Sequence, residues 1–247
     1  MNLRRLILLY LMMNRYLGIL LAGAFSATLM ESAAQTKVSI NTNFGEIPVL
    51  LFDDAAPNTV ANFLSYVESG EYTDAIFHRA IVGFVLQSGG FRSTPTGAFL
   101  LEEVVEQDPI ANEFGISNTR GTLAMAKLGG DPDSATSQWF INLDDNSSNL
   151  DNQNGGFTVF GEVEDFTVID EIMSQNIINI GGVFSELPVV ATREDGSAGP
   201  VNASEIRATD FVQISSIVVE PAASVPEPGA VSLLAVGSVG FILRRRR

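Results

Sequence analysis

Phe77-His78-Arg79-Ala80-Ile81-Val82-Gly83-Phe84-Val85-Leu86-Gln87-Ser88-Gly89-Gly90-Phe91 is an apolar, β-prone run that ends in paired glycines. It carries one arginine and one glutamine. A sheet interior rejects an unpaired guanidinium, so Arg79 is expected at a rim or a wet pocket, with Gln87 available to hold it.

Toward the N-terminus, Val38-Ser39-Ile40-Asn41-Thr42 alternates, Asn43 to Glu46 reads as a turn, and Ile47 to Phe52 is apolar. This is a hairpin, in which Pro48 suggests an edge position or a strand start. Asp53 to Pro57 leads into a helix with Pro57 in its first turn. Val60, Phe63, Leu64 and Val67 share one face of it, and Gly70 stops it.

Toward the C-terminus, Thr94 to Asp108 is polar and acidic and reads as a surface loop. Gly121 to Lys127 reads as a buried strand and Ser137 to Asn142 as the next. Period-2 alternation puts Gln138 and Phe140 on one face and Trp139 and Ile141 on the other, which makes the sole Trp a core residue. A strand over Phe157 to Val163, a helix near Phe166 to Gln175, a polar excursion over Gly181 to Asp210 and a closing strand over Phe211 to Val219 complete the body. Many short strands with two helices imply a mainly β barrel or sandwich.

The 247 residues suffice for one sizeable domain plus appendages, and the absence of cysteine rules out disulfides and thiol chemistry. The net charge of −15 understates the acidity of the middle, because Arg4, Arg5, Arg15 and Arg244 to Arg247 lie in the flanks. Such a body repels phosphates, so no nucleic-acid partner is expected. Leu143 to Gly156 is rich in Asp and Asn. From Asp151, however, Gln153 and Gly155 occupy positions where a calcium loop needs ligands, so no metal is expected.

The Phe77 to Phe91 run resembles the signature of the cyclophilin family of peptidyl-prolyl cis-trans isomerases: an FHR tripeptide, then a Gly-Phe-x-x-Gln segment ending in glycines. Gly121-Thr122-Leu123-Ala124-Met125-Ala126, Ser137-Gln138-Trp139-Phe140-Ile141-Asn142 and Val159-Phe160-Gly161 follow in the family's order. The resemblance covers roughly Val38 to Val219. It implies a closed eight-stranded antiparallel barrel capped by two helices. It makes Arg79 the catalytic donor, with Gln87 holding Arg79 and the substrate backbone. Phe84, Val85, Phe140 and Leu150 would line a proline pocket, Gln138 would add a polar edge, and the backbone of Ala126 and Lys127 would bind the substrate chain. No cofactor is implied, and His78 is expected to be a packed neighbour, since twisting an amide requires no proton transfer. Val85 stands where the family often has Met, Lys127 replaces a usual Asn, Phe157 replaces a His common in eukaryotic members, and Asn149 occupies a commonly aromatic position. The last departure implies weak cyclosporin binding.

The flanks read differently. Residues 1–34 hold the apolar runs Leu6 to Met13 and Tyr16 to Met30, followed by Ser32-Ala33-Ala34. This is a signal-peptide pattern with cleavage expected after Ala34, translation from Met12 or Met13 would give a more ordinary one, and an uncleaved anchor is the alternative. The isomerase domain is then 35–221 and the tail 222–247. Val225-Pro226-Glu227-Pro228, the apolar run Gly229 to Leu243 and four arginines resemble the PEP-CTERM sorting signal of Gram-negative bacteria. As a helix that run spans ~23 Å, short of a ~30 Å hydrocarbon core. The resemblance implies processing by an exosortase-type enzyme, with membrane contact through the tail helix beforehand, and final residence in the periplasm, on the outer surface or outside the cell. The sequence therefore points to an exported prolyl isomerase acting on proline-containing segments of client proteins. A non-catalytic proline-peptide-binding module of the cell surface or matrix is the alternative, and the sorting tail also suggests a structural matrix component.

Overall fold

The computed structural model describes residues 35–94 and 101–221. The expected signal segment and sorting tail lie outside the described residues. Among the described residues there are twelve strands: β1 (Lys37–Thr42), β2 (Gly45–Leu51), β3 (Arg79–Ala80), β4 (Val85–Ser88), β5 (Phe91–Ser93), β6 (Leu101–Glu103), β7 (Thr122–Met125), β8 (Trp139–Asn142), β9 (Val159–Val163), β10 (Asn176–Ile178), β11 (Leu187–Val189) and β12 (Ile214–Val219). The α-helices are α1 (Pro57–Ser69), α2 (Ser147–Leu150) and α3 (Thr167–Met173). None of them is long and apolar enough to cross a membrane.

Eight strands form one antiparallel sheet in the order β12-β1-β2-β9-β7-β8-β4-β3, curled around a core. The expected fold class is present, but closure is less complete than the expected barrel. β3 and β12 do not pair as a ladder. The chain just before β3 crosses the seam through a single bridge, Ile76 to Gln213, and hydrogen bonds such as Phe77 N to Val212 O at 2.9 Å. A β3 of two residues is too short to extend that pairing.

Two further expectations are corrected. Pro48 lies in β2, an interior strand between β1 and β9. It sits opposite Ser39 of β1 but turns its nitrogen toward β9, and it is tolerated because the β2–β9 ladder begins one residue later, at Val49 opposite Val163. Within the segment read as a surface loop, Leu101–Glu103 pairs with β5.

The interior is filled by alternate residues of the strands and by α1. Trp139 is fully buried and meets Phe63, Tyr72 and Phe77 edge-on at centroid distances of 6.1, 6.4 and 5.9 Å. Val60 and Phe63 are buried as expected and Leu64 and Val67 half-buried, while Tyr66 is also fully buried. Gly70 ends α1 in the left-handed region at φ 77°. The first turn of α1 has no acidic residue of its own. Glu113 supplies the charge from a distant loop, accepting from the Thr59 N–H at 2.8 Å and the Asn58 N–H at 3.2 Å. Burial pushes the Glu113 carboxyl up, but these hydrogen bonds outweigh it and hold it below the usual value.

Candidate active site

The site starts with a tight turn. Phe84 N donates to Ile81 O, and Gly83 at φ 70° takes the left-handed conformation that this reversal requires. The turn pairs β3 with β4, so that Arg79 faces Gln87, and β4 pairs with β8, so that Gln87 faces Phe140. Alternation along β4 sends Leu86 into the main core and Val85 to the opposite face. There Val85, Phe140, Leu150, Ala124 and Val159 form a separate apolar cluster, flanked by Phe84, Ala126 and Phe157.

Val85, Phe140 and Leu150 of this cluster, with Phe84, Ala126 and Phe157, line a cavity of about 540 Å³. All nine residues proposed from the sequence line it: Arg79, Phe84, Val85, Gln87, Ala126, Lys127, Gln138, Phe140 and Leu150. A second concavity of about 430 Å³ shares Gln87, Ala126, Lys127 and Gln138 with the first and continues the surface as a groove.

The apolar end is braced from behind. Phe84 O accepts from Leu143 N and from Asn146 Nδ2, at 2.9 and 2.8 Å. Asn146 also donates to Asn142 Oδ1, and Asn142 to Thr122 Oγ1. Buried polar side chains thus tie the pocket strands to α2, which carries Leu150. Phe157 N donates to Leu150 O, and its ring meets Phe140 edge-on at 5.9 Å.

At the polar end, Gln87 Nε2 donates to Gln138 Oε1 at 2.9 Å. Gly90 makes room for this pair, because a Cβ there would stand 2.8 Å from Gln138 Cδ. No side-chain hydrogen bond joins Gln87 to Arg79 among the described residues, contrary to the expected role. Arg79 instead lies with Nε 3.6 Å from Glu186 Oε2 and its Cζ 5.9 Å from the centre of the Phe84 ring.

His78 is buried, with its ring edge-on to Phe91 at 5.2 Å and Nδ1 without a hydrogen-bond partner. Burial first, and then the Arg79 charge, lower its pKa to about 4; the Ile76 carbonyl and the Gln138 carboxamide oppose this only in part. His78 is therefore neutral at pH 7.

A family model described as cyclophilin type peptidyl-prolyl cis-trans isomerase/CLD matches residues 37–190. The chain belongs to this family. Peptidyl-prolyl cis-trans isomerase B of Escherichia coli is 45% identical over 142 residues, covering 55% of this chain and 82% of that protein. Peptidyl-prolyl cis-trans isomerase A of Dickeya dadantii is 40% identical over 163 residues, covering 64% and 79%. A crystal structure of a cyclophilin-type isomerase of Cryptosporidium parvum matches at a TM-score of 0.52 and 23% identity, covering 76% of this chain and 99% of that one, a likeness of fold alone. The PEP-CTERM protein-sorting motif matches residues 224–247.

This cyclophilin therefore has an arginine in a cavity with an apolar end, built on Val85, Phe140 and Leu150, and a polar end that carries Gln87 and Gln138. Such a site can grip an apolar ring and donate hydrogen bonds, with no acid or base required. His78, expected beside the site, and Phe157, expected at a position where many eukaryotic members have His, also line the cavity, while the sequence reading missed Phe91 in the central run, Gln153 near α2, and Val183, Ser185 and Glu186 in the excursion before β11. It also assigned Lys127 a backbone role. The Lys127 side chain is a strut: Nζ donates to Asn154 O at 2.8 Å and Gly156 O at 2.6 Å and lies 4.9 Å from the Phe157 ring centre. Burial lowers its pKa, with Asp133 and Asp131 pulling the other way. Asn154 stands at φ 51° in the loop Lys127 holds, a left-handed conformation that Asn tolerates.

Proposed function

We propose that this cyclophilin accelerates cis–trans isomerisation of X–Pro bonds in exported proteins, with Arg79 as the catalytic residue. The observation that supports it most is that Arg79 lines a cavity whose apolar end is formed by Phe84, Val85, Phe140 and Leu150, while no side-chain hydrogen bond engages its guanidinium among the described residues. Rotation about an X–Pro bond must break amide resonance, against a barrier of ~18–20 kcal/mol. In the twisted state the prolyl nitrogen regains its lone pair. A guanidinium N–H donating to that nitrogen stabilises the twisted state and not the planar one, which is the condition for a rate effect.

The apolar residues hold the ring. Burying its three methylenes contributes about 2 kcal/mol, enough to fix one end of the rotating bond. Gln87 and Gln138 offer amide edges to the flanking peptide, and the backbone of Ala126 and Lys127 binds the substrate chain. Neutral His78 adds no competing positive charge beside Arg79.

The flanks place this activity outside the cytoplasm in our reading. Residues 1–34 act as a signal peptide, 35–221 form the isomerase domain, and 222–247 direct the chain to an exosortase-type enzyme after transient membrane contact. The PEP-CTERM motif at 224–247 supports the last step. The test is cis-to-trans conversion of a short X–Pro peptide by the full chain. Clear acceleration is expected. Binding of the peptide without acceleration would leave a proline-binding module. Mass measurement of the exported protein should give an N-terminus at Gln35 and loss of the arginine end; an intact chain would refute the processing.

A further inference from the structure

The cavity contains a carboxylate that the isomerase mechanism does not use. Glu186 lies just before β11, more than a hundred residues after Arg79, yet its Oε2 is 3.6 Å from Arg79 Nε. Gln87, the side chain expected to hold Arg79, is committed to Gln138. Something else must restrict a long side chain that is about a third exposed, because an arginine free to rotate donates to a reacting nitrogen for only part of the time.

Glu186 is mounted for that task. Its backbone oxygen accepts from Ala80 N at 2.8 Å, which locks its segment to β3 one residue from Arg79. Ser185 Oγ donates to Oε2 at 2.6 Å and fixes the carboxylate rotamer. The preceding Phe184 packs on Phe91 at 4.7 Å, and Phe91 packs on His78. The segment is thus anchored by backbone, hydroxyl and aromatic contacts at once. The carboxylate meets the guanidinium at its Nε, the nitrogen nearest the chain, so it steadies that edge and leaves the terminal nitrogens to a substrate.

We propose that Glu186 is a positioning residue for Arg79, holding the Nε edge of the guanidinium so that its terminal nitrogens meet the twisted prolyl nitrogen. This deepens the isomerase reading and rests on it. The same carboxylate also tempers the positive charge at the cavity mouth, so charge alone would predict a faster enzyme without it. Positioning predicts a slower one.

The experiment compares the full chain with Glu186→Gln, Glu186→Asp and Arg79→Ala on an X–Pro tetrapeptide, with kcat and KM resolved. Glu186→Gln should lower kcat about fivefold and leave KM within about twofold, the size of effect a partly exposed ion pair can exert. Glu186→Asp should recover most of the loss. Raising salt to about 0.5 M should slow the wild type and leave Glu186→Gln unaffected, because the pair is screened. The Arg79 Nε–H resonance, followed by nitrogen-15 NMR, should shift in Glu186→Gln without substrate. An unchanged or increased kcat in a folded Glu186→Gln protein overturns the proposal, as does a rise in KM that accounts for the whole effect. If the wild type accelerates the reaction and Arg79→Ala does not, such a result sinks the role of Glu186 alone. If the wild type does not accelerate it, the isomerase reading falls and this role with it.

Discussion

Acid should destabilise this protein first through its single histidine. His78 is buried, and its pKa in the fold is about 4 against an ordinary value of 6.5. The unfolded chain therefore binds a proton that the folded chain refuses, and the difference grows as pH falls from about 6.5 to about 4. Stability from this group is fully present above pH 6.5 and is lost through that window. The gap amounts to about 3 kcal/mol in total, of which about 2 kcal/mol is lost between pH 7 and pH 5. Urea unfolding at the two pH values should show that loss. In His78→Phe, which keeps a ring against Phe91 but cannot titrate, the change should be much smaller. Carboxylates such as Glu113 and Asp151, held below their usual values by hydrogen bonds that outweigh burial, lose their contribution at lower pH and equally in both proteins. With one histidine in the chain, its carbon-bound proton resonance can be followed without assignment ambiguity. A titration midpoint near 6.5, or equal losses in the wild type and His78→Phe, would refute the reasoning.

Other expectations are more local. Lys127→Met removes two charge-assisted hydrogen bonds and should cost about 1–2 kcal/mol of stability, since the group is partly solvated, and raise KM severalfold by loosening the loop that joins Leu150 to Phe157; an unchanged KM would mean that the strut does not shape the cavity. Asp210 is fully buried and accepts from Arg193 Nε and Nη2 at 2.7 and 2.9 Å, so Asp210→Ala should destabilise the protein clearly in denaturant unfolding, and a cost near zero would show the clamp to be dispensable. Asn149 spends its side-chain oxygen on Gln153 rather than presenting a ring to the cavity. Cyclosporin should therefore bind weakly, and Asn149→Trp should tighten it by about tenfold, the worth of one good aromatic contact; nanomolar binding by the wild type would contradict this.

How much of this was legible in the sequence depends on the range of the contacts. Arg79, Gln87 and Phe140 share one side of the sheet because strands alternate every two residues, and that period can be read directly. The same alternation put Trp139 in the core. Glu186 has no such signature. It is a polar residue in a polar excursion, and its partner lies in β3, where sequence spacing says nothing about proximity. Pro48 misled because the rule against proline in interior strands applies to a residue whose N–H a ladder needs: Pro48 sits opposite Ser39 in the β1 ladder, but its nitrogen faces β9, and that ladder begins one residue later. Gln87 pairs with Gln138 instead of Arg79 because Gly90 opens the space for it, a contact between segments that periodicity cannot align.

The central claim is that the Arg79 guanidinium stabilises the twisted bond rather than merely binding peptide. Arg79→Ala tests it most directly, with kcat/KM and peptide affinity measured on the same preparation. The account predicts a fall in kcat/KM of about 10²–10³-fold, as for loss of one donor to a developing charge, while affinity for a proline peptide changes by less than about threefold. Activity that survives the substitution, or that falls only in step with affinity, would contradict it.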